Sequence, residues 1–295
     1  MKKHIVTKSV CLLLALLLLL SCGMMSAGAE VNKAGLSVLS VGSADTASRS
    51  DIGVTNWYYS SVDKSYYIFL PQTTDTSSLR VWYDADAAVY CGDNAIENGG
   101  LTDAFADGSC TLTCSGNTYR VNVLDGGDVA SVRINTASGS LDAVHADKSY
   151  KEPGVIDIQD SDGTVQYSGD LDYIKGRGNS TWNGAKKPYN IKLAKKADLF
   201  GMGKAKKWCL LANAGDATLM RNMLSYQFAK SIGVDVTSDT IPVNLYINNN
   251  YMGAYLLTEK VEVGENRVDI YDLEKETEKV NDADLDTYPL GGDQD

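Results

Sequence analysis

From residue 55 onward the chain alternates apolar and polar positions in short runs. Residues 66–70 (YYIFL), 79–83 (LRVWY) and 118–123 (TYRVNV) have the period of two that predicts β-strands, and clusters of Gly, Asp and Asn separate them. Residues 55–127 therefore read as a small β-sandwich-like module, a spacer or binding accessory with no chemistry of its own. From Val129 a second set of strands follows at 132–134, 154–158, 173–175, 189–193 and 208–212. A hairpin comes next, with arms at 242–247 and 251–257 around Asn248-Asn249-Asn250, and Asn tolerates the left-handed backbone such turns need. Between them, 218–232 predicts a helix, capped by Asp216 or Thr218 and ended by Gly233. Leu219/Met223, Met220/Leu224 and Phe228/Ile232 are four apart, which gives the helix one broad apolar face. The predicted fold class is α+β, a sheet with one helix packed on it.

The first 29 residues stand apart. Lys2, Lys3 and Lys8 precede a leucine-rich run over 12–20 that is too short to span a bilayer comfortably, and Ala27-Gly28-Ala29 offers small residues for cleavage. This is the pattern of a secretory signal peptide, and it predicts a secreted protein. Leu19-Leu20-Ser21-Cys22 offers a rival, lipoprotein-type cut that would acylate Cys22 and anchor the chain to a cell surface. No later run is long and apolar enough for a membrane helix. Residues 30–54, small and polar, read as a linker. Outside the cytosol a disulfide is expected, and Cys91 with Cys110 or Cys114 is the pairing that one strand-rich region suggests. No close ligand pairs complete a zinc set, and Cys209 reads as a buried core thiol.

Composition excludes several chemistries. The chain has two His among 295 residues, and His4 belongs to the leader. His145 alone cannot build an HExxH zinc site, and its polar surroundings suit a surface residue better than the base of a Ser-His-Asp triad. The formal net charge is −11, yet residues 175–207 carry ten Lys or Arg against the single acid Asp198. An acidic chain with one basic island suggests a local anion site, and the plain alternative is a solvated face. Nucleic acid is disfavoured by the negative field. A glycoside hydrolase would need two carboxylates in a cleft, which the island does not supply.

Within the island, Gly176-Arg177-Gly178-Asn179-Ser180-Thr181-Trp182 could cradle phosphate on its backbone N–H groups, with Arg177 adding a fork of donors. It is not a Walker loop, and a tight hairpin turn explains it equally well. Period two sends Asn190 and Lys192 to one face of a strand and Tyr189, Ile191 and Leu193 to the other. A lysine beside a Gly loop can neutralise phosphate oxygens, or it can be an exposed strand lysine. Arg221-Asn222 and the acids Glu259 and Glu262 admit both supporting and surface roles.

Taken together, IKGRGNSTW (174–182), KKPYNIKL (186–193), LFGMGKAKKWCLLAN (199–213), TLMRN (218–222), PVNLYINNNYMGAYLLTEKV (242–261) and NRVDI (266–270) resemble, in order and spacing, the CotH (spore-coat protein H) family of atypical kinases. The resemblance covers 129–295. It implies a partial atypical protein-kinase-like domain that uses ATP and Mg2+ or Mn2+ to phosphorylate Ser on secreted or spore-coat proteins. It makes Arg177, Lys187 and Lys192 the nucleotide-phosphate candidates and Glu259 a base-side candidate. The family's metal-binding and catalytic aspartates lie downstream of the TEKV and RVDI blocks. The resemblance therefore places the catalytic residues beyond Asp295, no metal ligands within the chain, and a fragment inactive by itself. A non-catalytic surface or scaffold protein is the competing reading.

Overall fold

The computed structural model describes residues 35–234, 236–273 and 277–278. The expected leader with Cys22 and the acidic C-terminal stretch lie outside the described residues.

The first module contains β1 (Leu36–Ser43), β2 (Thr55–Asn56), β3 (Tyr58–Ser60), β4 (Ser65–Leu70), β5 (Leu79–Ala85), β6 (Val89–Cys91), β7 (Asn94–Ile96), β8 (Leu101–Thr102), β9 (Ser109–Cys114) and β10 (Asn117–Asp125). They form a four-stranded sheet, β2-β1-β5-β8, and a six-stranded sheet, β3-β4-β10-β9-β6-β7. Alternation explains the packing. β9 reads exposed-buried throughout, and Leu39, Val41, Leu79 and Val81 of one sheet meet Ile68, Leu112 and Val121 of the other in one core. Residues 36–43 were expected in a linker but form β1, whose Leu39 and Val41 are fully buried. Their small polar neighbours hid a core strand. Cys91 and Cys110 are joined as a disulfide, and Cys114 is a buried free thiol.

The second module does not have the expected α+β, kinase-like arrangement. Seven strands close into a barrel in the order β11-β12-β13-β14-β15-β17-β16. These are β11 (Ala130–Thr136), β12 (Glu152–Gln159), β13 (Val165–Gly176), β14 (Tyr189–Asp198), β15 (Lys204–Leu211), β16 (Thr240–Ile247) and β17 (Asn250–Glu259). All neighbours are antiparallel except β11 and β16, whose parallel pairing closes the ring. Alternation again decides the faces. Tyr189, Ile191 and Leu193 of β14 point inward with Ile134, Ile156, Trp208 and Leu257, while Asn190 and Lys192 point outward. Short α1 (Asp142–Ala146) adds Val144 to this core.

A barrel turns its apolar residues inward, so it offers no open sheet face for a helix to cover. The helix predicted over 218–232 forms as α2 (Arg221–Ser231), but none of its residues is buried, and Phe228 and Leu224 are 65% and 51% exposed. Its start shifts because Asp216 folds the preceding loop. The Asp216 carboxylate accepts from the backbone N–H of Thr218 at 3.0 Å and of Arg221 at 2.8 Å. Among the described residues, no helix is long and apolar enough to cross a membrane.

Arg133, buried on β11, ties the modules together. Its Nη1 donates to the carbonyls of Ile52 and Val54 at 3.3 and 3.2 Å, its Nη2 donates to Thr55 Oγ1 at 3.2 Å, and the guanidinium lies 4.0 Å from the Tyr246 ring centroid. On the same side, Phe69 of β4 stacks on Tyr251 of β17 at 4.2 Å. Tyr251 Oη donates to Asn244 Oδ1 at 2.9 Å, and Asn244 Nδ2 donates to Gly126 O at 3.2 Å. These contacts are polar groups satisfied across the junction, so removing one strands its partners. We expect Arg133→Ala to lower the unfolding free energy by about 3 kcal/mol, measured by chemical denaturation of the two-module chain. A loss below about 1 kcal/mol would show that the junction does not depend on this side chain.

Candidate functional site

A cleft of about 1220 Å³ runs over the outer face of β13, β14, β15 and β17 and reaches the first module. Strand register builds its floor. Lys175 pairs with Asn190, Asn190 with Cys209, and Cys209 with Thr258, so one outward-facing row crosses four strands, and all four residues line the cleft. At about 4.8 Å per strand spacing the row is roughly 14 Å long. Cys209 is 4% exposed, its thiol 3.2 Å from Asn190 Oδ1, and burial pushes its pKa up. This is an inert thiol in the wall, in keeping with its sequence reading.

The glycine loop between β13 and β14 forms one rim. Gly176 has no room for a side chain, because an added Cβ would lie 2.6 Å from Trp182 and 2.7 Å from Lys148. Gly178 has φ +80°, and a Cβ there would collide with Thr181 Oγ1. Both glycines are demanded by the way the loop folds back on itself, through a 3-10 turn at Ser180–Asn183 rather than a tight hairpin. Lys148 Nζ donates to Gly178 O at 2.8 Å and fixes the loop from outside.

The predicted site residues separate. Arg177 and Glu259 line the cleft, and Lys187 and Lys192 do not. Lys187 Nζ donates to the carbonyls of Trp182 and Gly184 at 2.8 and 3.4 Å and lies 4.8 Å from the Trp182 ring centroid, so it braces the glycine loop. Lys192 faces outward as its spacing predicts, but in the neighbouring row, where its Nζ is 2.9 Å from Asp172. Glu259 is already committed: Oε1 is 2.8 Å from Arg267 Nη1, and Oε2 accepts from the Asp239 N–H at 2.8 Å. Arg267 in turn lies over the Trp208 ring at 4.5 Å. The NRVDI block is thus a latch on the barrel, and Glu259 is part of it. His145 Nε2 sits 2.9 Å from the hydroxyl of buried Tyr189 and does not line the cleft. Burial and the Lys187 charge hold its pKa down.

The residue that sequence reasoning missed is Lys186. Its ammonium lies against the Tyr255 ring at 4.5 Å, donates to the carbonyl of Ala254, and lines the cleft beside Gly253. Burial pulls its pKa down to about 8. Lys186 precedes the strand, so no period told it from Lys187, and only the closed barrel shows which of the two turns into the cleft.

Among the described residues, six cations line the cleft, Lys148, Lys175, Arg177, Lys186, Arg221 and Lys260, against two carboxylates, Asp216 and Glu259. Both carboxylates are engaged; the Arg221 N–H, followed by Thr218, holds the Asp216 carboxyl below the usual range. Among the described residues, the Lys175 and Arg177 side chains have no hydrogen-bond or ion-pair partner. The cleft therefore carries uncompensated positive charge in a partly enclosed space, which suits an anion. Among the described residues no three His, Cys, Asp or Glu come together to hold a metal ion, so the expected Mg2+ or Mn2+ finds no ready ligand set there.

Residues 174–293 match the family model described as CotH kinase protein. Through this segment the chain is similar to the CotH family. The match covers the glycine loop, β14 to β17 and α2, and it leaves the first module and β11 and β12 outside. No curated protein matches the chain. A solved structure from Bacteroides thetaiotaomicron, named as a candidate glycoside hydrolase, is 17% identical over 74% of this chain with a TM-score of 0.22. The match spans 61% of that protein's length, and at this score the likeness carries no argument about the CotH segment.

Lys186 gives the site a pH signature. Its folded pKa of about 8 lies below the ordinary lysine value of 10.5, so between these values the unfolded chain binds more protons and stability rises with pH. We expect the wild type to gain on the order of 2 kcal/mol relative to Lys186→Met between pH 7 and pH 11, measured by denaturant melts across that range. A constant difference would show an amine that titrates normally.

Proposed function

We propose that the cleft binds the phosphates of a nucleoside triphosphate, and that the protein is a CotH-type phosphotransferase or a binding protein derived from one. The observation that carries this reading is the pair Lys175 and Arg177, unpartnered among the described residues, beside a glycine loop and lining, with Lys186, a cleft whose carboxylates are engaged. Arginine forks and ammonium groups are the side chains that bind phosphate best. ATP would be held with its phosphates against Arg177, Lys175 and Lys186, and it would supply the phosphoryl group for transfer. Serine on a secreted or surface protein is the acceptor that the family resemblance supports. The Cys91–Cys110 bond supports an oxidising, extracytoplasmic location.

A second reading, binding without transfer, is favoured by a specific observation. Phosphoryl transfer needs a carboxylate to orient the acceptor hydroxyl and metal ions to bridge the phosphates. Both cleft carboxylates are occupied, and no metal cluster exists among the described residues. No step is therefore assigned to a metal ion.

Calorimetric titration of ATP and of inorganic tripolyphosphate, with and without Mg2+ or Mn2+, tests the binding. We expect Arg177→Ala and Lys186→Met each to weaken tripolyphosphate binding about tenfold, and Lys192→Ala to leave it unchanged. Affinity should fall as pH rises through about 8, where Lys186 loses its charge. Equal loss in Lys192→Ala would point to a diffuse surface field in place of this cleft. Transfer of labelled phosphate to a serine substrate by the same protein would decide against the second reading.

A further inference from the structure

The first module, expected to be a spacer, supplies part of the cleft wall. Tyr58 of β3 and Phe69 of β4 line it together with Tyr251 and Met252 of β17. None of these four side chains is charged. The wall is fixed in place, because Phe69 stacks on Tyr251 and the Tyr251 hydroxyl is held by Asn244, which is itself bonded to the first module at Gly126. From this apolar end, β17 runs to Gly253 and Ala254, where the Lys186 ammonium sits. Two residues of strand from Tyr251 to Gly253 cover about 7 Å. An aromatic end and a cationic end thus lie within the reach of one nucleotide.

Resting on the phosphate reading above, we infer that this end of the cleft is the subsite for the nucleotide's base, with Tyr58 as its specificity-determining residue. The assignment falls on Tyr58 for physical reasons. Phe69 is only 8% exposed and its face is taken by Tyr251, whereas Tyr58 is half-buried at the cleft edge. A planar base stacks on such a ring without needing a hydrogen bond, and the uncharged wall suits a base better than a second phosphate. Tyr58 lies outside the CotH segment, so the first module adds a recognition element to it. Glu259, the residue expected at the base side, is excluded by its bond to Arg267.

The experiment compares ATP with inorganic tripolyphosphate, titrated into the full chain and its Tyr58→Ala, Tyr58→Phe and Lys186→Met variants, with melting temperature as a check on folding. We expect Tyr58→Ala to weaken ATP about tenfold, to leave tripolyphosphate unchanged, and to be rescued by Tyr58→Phe. Lys186→Met should weaken both probes. If Tyr58→Ala affects neither probe, or both equally at an unchanged melting temperature, the base subsite is wrong while the phosphate site stands. If the wild type binds neither, the phosphate reading falls and the base subsite falls with it.

Discussion

Closure of the barrel by the parallel pairing of β11 with β16 is the constraint on which the rest of the structure depends. Once the ring is closed, no open edge remains and each strand has one inward and one outward face. The inward faces take the aliphatic residues, with Tyr189, Trp208 and Tyr255 filling the wider space between them. Everything polar or cationic on the same strands must then face out. The Lys175–Asn190–Cys209–Thr258 row exists because four registers agree, and these registers are fixed by what lies inside the barrel. The cleft chemistry is thus a by-product of core packing, brought into line by alternation.

The second organising interaction is the junction. A buried guanidinium satisfied by backbone carbonyls and a threonine hydroxyl makes the two modules adjoin in one way only. That is why residues of the first module can form a wall of a cleft whose floor belongs to the second. A flexible connection would leave Phe69 and Tyr251 free to part.

Much of the local structure was legible in the sequence. The strand over 189–193 could be read to the face of each residue, because period two depends only on backbone geometry. The disulfide region was legible as well, since Cys91 and Cys110 lie on paired strands β6 and β9. What the sequence did not carry was closure. An open sheet and a barrel share the same strand signals, and the amphipathic spacing of 218–232 suggested a helix that would cover an open sheet. The same gap misplaced the site. Arg177 was found through its glycines, whereas Lys187 and Lys192 were chosen by residue type and neighbourhood. Both proved to have partners of their own, Trp182 and Asp172, that spacing cannot reveal. β1 was missed because its Ser and Gly residues dilute a pattern of which Leu36, Leu39 and Val41 are buried.

The seam between β11 and β16 also sets the order in which the molecule can be made. Residues 130–134 find their β16 partners only at 243–247, so although most of the barrel's pairings join strands adjacent in sequence, its last joint must wait for nearly the whole module to be synthesised. The first module has no such wait: its ten described strands lie before residue 126 and can fold before β16 joins the barrel. In the interval, β11 has an unfilled edge, and Arg133 on it has the first module's carbonyls and the Thr55 hydroxyl as partners. The early module is then a template that holds one side of the seam in place until its mate arrives.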